Sequence, residues 1–487
     1  MRKTAGMASQ YRNVCDVTVP NGLCVGCGIC AGICPEGALN IAWNYYGEYA
    51  PVELAGKCTE CGLCLQVCPF VNQQENETTL AKREFSNQDG IHHNSVVGLF
   101  LDLFAGYSKV DNHRIRGAGG GLATWLLEKL LTQDIVDRIC CVVPSNDPNI
   151  LFRYSVVDSV DDVRSASCSA YYPVELSQTI SEILNVDGRY AVIGLPCALK
   201  GLRMAMLRSV DLRKRIVVLV GLVCGQQKSK FFAEYLCAMG GGCPSKVKAV
   251  SFRVKDPSRH HLDHRFEFTC VSGDGVVTGH VYQSQGMSWL WGHDCFKLNA
   301  CNFCDDITAE VADVTFGDSV AEPYSYGNMG ANFVIVRSGL IRDLLVSGAS
   351  AGEIVLDRVP LKAIITRQQG VILLKRKDLQ HRLYLVSHKH NASYIPVKRF
   401  PPRRRLNPLR NLDMQVRDRM RDVSRETYAQ HRYQPNVGLL VQKAIIHVLE
   451  TFAYRNWRFN FFFGIVCFTK SVRHWLSSLM CRLRKFV

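Results

Sequence analysis

Two stretches of the chain are near copies of each other. Cys24-Val-Gly-Cys27-Gly-Ile-Cys30-Ala-Gly-Ile-Cys34-Pro35 and Cys58-Thr-Glu-Cys61-Gly-Leu-Cys64-Leu-Gln-Val-Cys68-Pro69 both read C-x2-C-x2-C-x3-C-P. In that spacing three thiolates gather round one corner of an iron-sulfur cube while the fourth is thrown toward a second cube, so two copies exchange their last cysteines. The expected sets are Cys24, Cys27, Cys30 and Cys68 on one 4Fe-4S cluster, and Cys58, Cys61, Cys64 and Cys34 on the other. Zinc also takes four thiolates, but zinc modules present pairs of C-x2-C rather than a doubled triplet closed by C-P. Between the copies, residues 38–53 can form a short hairpin with Gly47 near its turn. The fold must begin by bringing two distant runs of cysteines together.

The segment resembles a bacterial two-cluster ferredoxin domain, yet at 487 residues the chain has room for two or three domains. Its 22 cysteines would mean disulfides in a small secreted protein. The first ten residues lack the apolar stretch of a signal peptide, so a reducing, cytoplasmic setting is the expectation. The formal charge of +15 is lopsided: seventeen Lys or Arg against five Asp or Glu fall from Pro401 onward, a local +12. The basic character belongs to the tail, no nucleic-acid motif accompanies it, and no nucleic-acid partner is expected. No apolar run reaches the roughly eighteen residues that span a bilayer.

Further along, residues 72–94 are polar and read as a linker. Leu99 to Ser108 reads as a strand, and Gly119, Gly120 and Gly121 then lead into a helix from Leu122 that carries Thr124. Glycines let a backbone approach a phosphate closely, and a helix N-terminus supplies unpaired amides. A glycine run is also often only a turn. Tyr190 to Cys197 and Ile216 to Cys224 read as strands that each end on a cysteine, at the edge where parallel sheets bind ligands. Cys301 and Cys304 add a C-x2-C pair. These four could hold a third cluster, while a redox dithiol and inert buried thiols stay open as alternatives. Asp313 and Asp318 read as capping or turn residues.

Taken in order, seven marks resemble the beta-subunit family of coenzyme F-420 (deazaflavin) hydrogenases and dehydrogenases. They are the two-cluster module, the glycine loop at 119–124, Gly194-Leu-Pro-Cys197, Cys224-Gly, Phe252-Arg-Val-Lys-Asp256, Cys301-Asn-Phe-Cys304 and Ala312-Asp-Val-Thr-Phe-Gly-Asp318. The resemblance spans about Cys24 to Lys389. It implies an FAD whose pyrophosphate lies along Gly119, Gly120, Gly121 and Thr124, beside a 4Fe-4S cluster held by Cys197, Cys224, Cys301 and Cys304. The chain departs from the family pattern in having Gly119 where a Ser usually opens the loop, and Ser169-Ala-Tyr171 where Ser-Lys-Tyr is usual. Relatives of this kind serve varied acceptors, and some are associated with exopolysaccharide synthesis.

The expectation is therefore an α+β multidomain chain. A ferredoxin module occupies 15–72 and a linker 73–95. An α/β flavin-binding domain follows in two parts, 96–185 and 186–396, and a basic, helical tail runs over 397–487. The implied activity is an FAD- and iron-sulfur-dependent oxidoreductase that passes electrons between the clusters and a deazaflavin or organic acceptor, with no catalytic residue named. The alternative is a non-catalytic relay or assembly subunit of a larger redox complex. A redox partner protein or a small-molecule acceptor is expected. The tail, with Trp457, Phe459, Phe461 and Trp475 among its cations, suits peripheral contact with the inner membrane surface or packing on the body or a partner subunit.

Overall fold

The computed structural model describes residues 11–71, 75–147, 149–260, 262–272, 275–319, 324, 329–388, 394–404 and 406–455. The chain divides into two compact units. One comprises residues 1–227, 255–261 and 298–406, and the other residues 228–254, 262–297 and 407–487.

The first unit is built on an eight-stranded sheet in the order 354–358, 102–108, 331–336, 314–319, 216–222, 190–194, 138–144, 152–157. Strands 314–319, 216–222, 190–194 and 138–144 run parallel, while 331–336 is antiparallel to both 314–319 and 102–108. The strand 102–108 therefore points the same way as the parallel set. The C-terminal ends that lead to the glycine loop, to Cys197 and to Cys224 lie along one sheet edge.

Side-chain alternation gives each strand two faces. Ala191, Val218 and Val220 pack with Leu122, Trp125, Leu126, Leu344 and Leu345 from the helices Leu122–Thr132 and Gly339–Ser350. Tyr190, Val192, Ile216 and Leu219 pack on the other face with Leu176, Ile180, Leu199 and Leu202. That second cluster also takes in Ile29, Ile33 and Val67 from the two cysteine runs, which seats the N-terminal module on the sheet domain. Burying those three side chains is worth roughly 1.5–3 kcal/mol each.

Within the module, Leu39–Trp43 and Tyr49–Glu53 form the expected hairpin, with Gly47 at positive φ. The short helices Ile29–Gly32 and Leu63–Val67 follow the second cysteine of each run. Gly28 has φ 77, and a Cβ there would strike the Glu175 carboxylate and the Ser177 amide. The glycine thus permits the approach in which the Leu176 amide donates to the Cys27 carbonyl at 2.9 Å.

The connector read as a linker is folded. The helix Glu77–Phe85 is opened by a capping box between Asn76 and Thr79, and it buries Leu80, Ala81 and Phe85. Its composition is polar because one face meets solvent, whereas its few apolar residues fall on the other face. The composition break at 397 also differs from the break in packing, which falls between Leu406 and Asn407. Arg399 is largely buried in the first unit, where its charge is met by Glu310 and Asp305.

The second unit holds a three-stranded antiparallel sheet, Val247–Val254, Arg265–Ser272 and Gly275–Tyr282. Its helices include Phe231–Met239, Pro408–His431 and Val437–Arg455. Phe231 meets Tyr428 at 4.7 Å between ring centres, and the Tyr428 hydroxyl donates to Glu234 at 3.0 Å. The helix Val437–Arg455 buries Val437, Val441, Ile445 and Val448 inside this unit. That apolar stripe is spent on packing, which is the body-packing alternative for this part of the tail. The aromatic and cationic positions from Trp457 onward lie outside the described residues. Among the described residues no helix is long and apolar enough to cross a membrane.

If the connector helix is part of the core, Phe85→Ala costs about 3–5 kcal/mol of stability. Urea unfolding of the two proteins checks this, and an unchanged midpoint would return residues 77–85 to the status of a linker.

Candidate metal centre

The structure brings the eight cysteines of the two runs together in two groups. Cys24, Cys27, Cys30 and Cys68 line one pocket with Val14, Leu23, Ile29, Val67 and Phe70. Cys34, Cys58, Cys61 and Cys64 line another with Arg12, Asn13 and Leu39. Each group takes three cysteines from one run and the last cysteine of the other. Cys61 is exposed, so the second cavity opens nearest to solvent.

Cys197, Cys224, Cys301 and Cys304 form a third group. Cys197 feels the charge of the other three and of Cys27. Cys197 and Cys304 also pack against the same apolar cluster as Cys27, Cys30 and Cys68. The three groups stand in series, with Cys64 felt by Cys30 and Cys68 in one direction and feeling Cys61 and Cys58 in the other.

The donor set decides what these groups can hold. A tetrahedral zinc site with Zn–S near 2.3 Å needs its sulfurs within roughly 4 Å of one another. Two groups of four cysteines, each drawn from a C-x2-C-x2-C triplet and the last cysteine of the other run, fit cubes of several irons better than single ions. Burial pushes Cys27, Cys64 and Cys224 up to about 12 and Cys68 to about 11. These thiols are protonated at neutral pH, so loading a metal must release protons.

The third group has polar company. The Gln227 backbone N–H donates to Cys301 Sγ at 3.2 Å, and Gln227 Nε2 to Cys197 Sγ at 3.3 Å. Lys375 Nζ donates to Cys304 Sγ at 3.2 Å and to the Asp306 carbonyl at 2.7 Å. After Cys304 the chain enters a buried ionic network. Arg399 grips Glu310 through both carboxylate oxygens at 2.8 and 3.0 Å and also meets Asp305 and Glu77, while Lys200 pairs with Glu77 at 3.1 Å. Arg399 thereby fastens the segment 394–404 and the helix Glu77–Phe85 to the loop behind Cys304. Nothing in the spacing of these residues announces the network, because its members come from four separate stretches of chain.

The glycine loop lies on the same sheet edge, three strands away from Cys224, or about 14 Å at ~4.8 Å per strand. Gly121 has φ 79, and a Cβ there would come within 2.5 Å of the His113 carbonyl oxygen. At Gly119 a Cβ would press on Asn332 Nδ2 at 2.4 Å and at Gly120 on the Gly106 carbonyl oxygen at 2.5 Å. A side chain at 119 would require Asn332 to shift. Asn332 Oδ1 accepts from the Gly120 amide at 2.8 Å and the Leu122 amide at 3.2 Å. The amides of Gly119, Gly121, Ala123 and Thr124 have no acceptor among the described residues. The loop can therefore still offer four donors to an anion, with two others already engaged.

Lys255, from the motif at 252–256, closes the loop from outside. Its ammonium donates to the carbonyls of Arg114, Gly119 and Met329. Beneath the loop His113 joins Ser108 Oγ at 3.1 Å to Glu128 at 2.7 Å, and Arg164 holds Glu128 in turn. The motif pointed to Lys255 without giving it a task, and Asn332 and His113 carried no sequence signal. Asp313 accepts from Arg203 at 3.1 Å and from the Leu219 amide at 2.8 Å, a structural role in keeping with its reading as a capping residue.

Three family models match the chain. One describes a 4Fe-4S dicluster domain and matches residues 23–72. The other two describe the N-terminal and C-terminal parts of the coenzyme F420 hydrogenase/dehydrogenase beta subunit, and they match residues 103–181 and 187–361. No curated protein matches. Among solved structures, a chain from the F420-reducing [NiFe] hydrogenase complex of Methanosarcina barkeri is similar at 15% identity and TM-score 0.46, over 64% of this chain and 99% of that one.

Glu310 gives the ionic network a pH signature. Burial raises its carboxyl to about 7 despite the Arg399 guanidinium. A carboxyl held above its usual value near 4.3 keeps its proton in the folded state while the unfolded chain gives it up. Its contribution is present at low pH and lost as pH rises toward 7. Glu310→Gln should therefore flatten the fall in stability between pH 4.5 and 7, as read from urea midpoints. An unaltered pH slope would contradict the assignment.

Proposed function

Because the chain belongs to the coenzyme F420 hydrogenase/dehydrogenase beta-subunit family and carries a 4Fe-4S dicluster domain, we propose that it is an iron-sulfur flavoprotein oxidoreductase. Cys24, Cys27, Cys30 and Cys68 hold one 4Fe-4S cluster, and Cys58, Cys61, Cys64 and Cys34 hold a second. Cys197, Cys224, Cys301 and Cys304 hold a third. Gly119, Gly120, Gly121 and Thr124 seat the pyrophosphate of an FAD. The clusters supply one-electron steps, and the flavin converts them to the two-electron exchange that a deazaflavin or an organic acceptor requires.

The observation that carries this reading is the serial arrangement of three sulfur groups, from exposed Cys61 inward to Cys197 and Cys224, at the sheet edge that also bears the glycine loop. The protein's own part is to hold the sulfurs in order, exclude water from the inner group and keep the loop's remaining amides open. A redox protein docking near Cys61 is the natural source or sink for electrons.

One observation favours a second reading, that of a relay subunit without flavin. Asn332 already occupies the Gly120 and Leu122 amides, two of the donors a pyrophosphate would use.

Flavin analysis of the anaerobically purified chain separates the two. The oxidoreductase releases about one FAD per chain, and a one-electron donor such as reduced methyl viologen bleaches its absorbance. Clusters without flavin would overturn the flavoenzyme reading and leave the relay.

A further inference from the structure

The third sulfur group differs from the other two in the charge of its donors. At the first two, neutral donors meet sulfur: the Gly26 amide to Cys24 Sγ at 3.3 Å, the Ala38 amide to Cys34 Sγ at 3.4 Å, and Asn13 Nδ2 to Cys58 Sγ at 3.6 Å; Arg12, near Cys58, is paired with Asp16 and Glu53. The charge of Lys398 reaches Cys68, but its ammonium lies over the Phe70 ring at 4.5 Å and 3.8 Å from Asp305. At the third group the ammonium of Lys375 itself rests on a sulfur, that of Cys304.

Lys375 is built into place. It lies in the π-helical turn Leu374–Asp378 between the helices Leu361–Leu373 and Leu379–Ser387, and π turns inside helices mark functional sites more often than ordinary turns do. The residue is 3% exposed, and its hydrogen bonds go to a sulfur and a backbone carbonyl rather than to a carboxylate. An ammonium taken out of water needs a counter-charge close by, and sulfur ligands deprotonated on metal loading would supply it. The residue also lies beyond positions 187–361, so the match to the family does not account for it.

We propose that Lys375 sets the reduction potential of the centre held by Cys197, Cys224, Cys301 and Cys304, keeping it above the potentials of the two centres in the N-terminal module. The proposal rests on the reading of those four cysteines as cluster ligands. A reduced cluster carries one more negative charge than an oxidised one. A fixed cation in hydrogen-bond contact with a ligand sulfur therefore favours the reduced form, as hydrogen bonds and net charge generally do at iron-sulfur centres. Gln227, with donors to Cys197 and Cys301, acts in the same sense but without charge. Lys375 works through Cys304 and is a positioning residue. The consequence is a downhill direction for electrons, from the exposed side of the module inward to the sheet edge.

The test is a potentiometric titration of the full-length protein, followed by electron paramagnetic resonance, with iron counted on each preparation. K375M should lower one midpoint and leave the other two in place. At a fixed poise the ratio of oxidised to reduced centre should rise about tenfold or more, equivalent to about 59 mV for a one-electron couple. K375R should return most of the shift. If K375M loses iron, K375Q, which keeps a neutral donor on Cys304, takes its place and must show the same selective fall. Unchanged midpoints in an iron-replete variant overturn the proposal. A wild-type chain with only about eight irons overturns it together with the underlying cluster reading, and the iron count tells that failure apart.

Discussion

The arrangement depends on the apolar seat that Ile29, Ile33 and Val67 make against Leu176, Ile180, Leu199 and Leu202. These side chains alternate with the cysteines of the N-terminal module, so the contact that stabilises the module also orients its sulfurs. Glycine at 28, 32 and 201 allows the surfaces to meet, since a Cβ at each would strike Glu175, Ile180 or Ile29. With the seat formed, Cys27 falls beside Cys197, and two inventories of thiols far apart in sequence become one series. Hydrophobic burial gives no direction by itself. Direction comes from the interlocking of Ile29 with Gly201 and from the hydrogen bond between the Leu176 amide and the Cys27 carbonyl.

Behind the third sulfur group the protein spends charge rather than apolar surface. Asp305, Glu310 and Glu77 meet Arg399, Lys200 and Lys398 away from water. Such a network is a poor source of net stability, because desolvation consumes most of the attraction, but breaking one member is costly, at about 3–5 kcal/mol. Its effect is to make the loop after Cys304 adopt one conformation. The sulfurs of Cys301 and Cys304 are thereby held on the side facing Cys197, and Lys375 is held against Cys304.

The cysteine spacing made the module, and the grouping of each triplet with the last cysteine of the other run, legible in advance, because thiolate geometry restricts which spacings can close on a cube. The strands ending at Gly194 and Leu222 were legible too, since buried parallel strands are short apolar runs. Other features were hidden for physical reasons. The helix Glu77–Phe85 reads as linker because only Leu80, Ala81 and Phe85 betray its inner face. Lys398 and Arg399 sit among Pro and Arg and read as tail, although their counter-charges lie near residue 305. Asn332 looks like any strand residue, and only the pairing of 331–336 beside 102–108 brings its amide oxygen to the glycine loop. Long-range partners of this kind leave no periodicity to find.

The central claim is that the chain carries three iron-sulfur centres, the innermost held by residues far from the N-terminal module. Iron and acid-labile sulfide counted on anaerobically purified protein, wild type against Cys197→Ala, test it most directly. The account predicts about twelve irons falling to about eight in the variant. About eight irons in both proteins would contradict it.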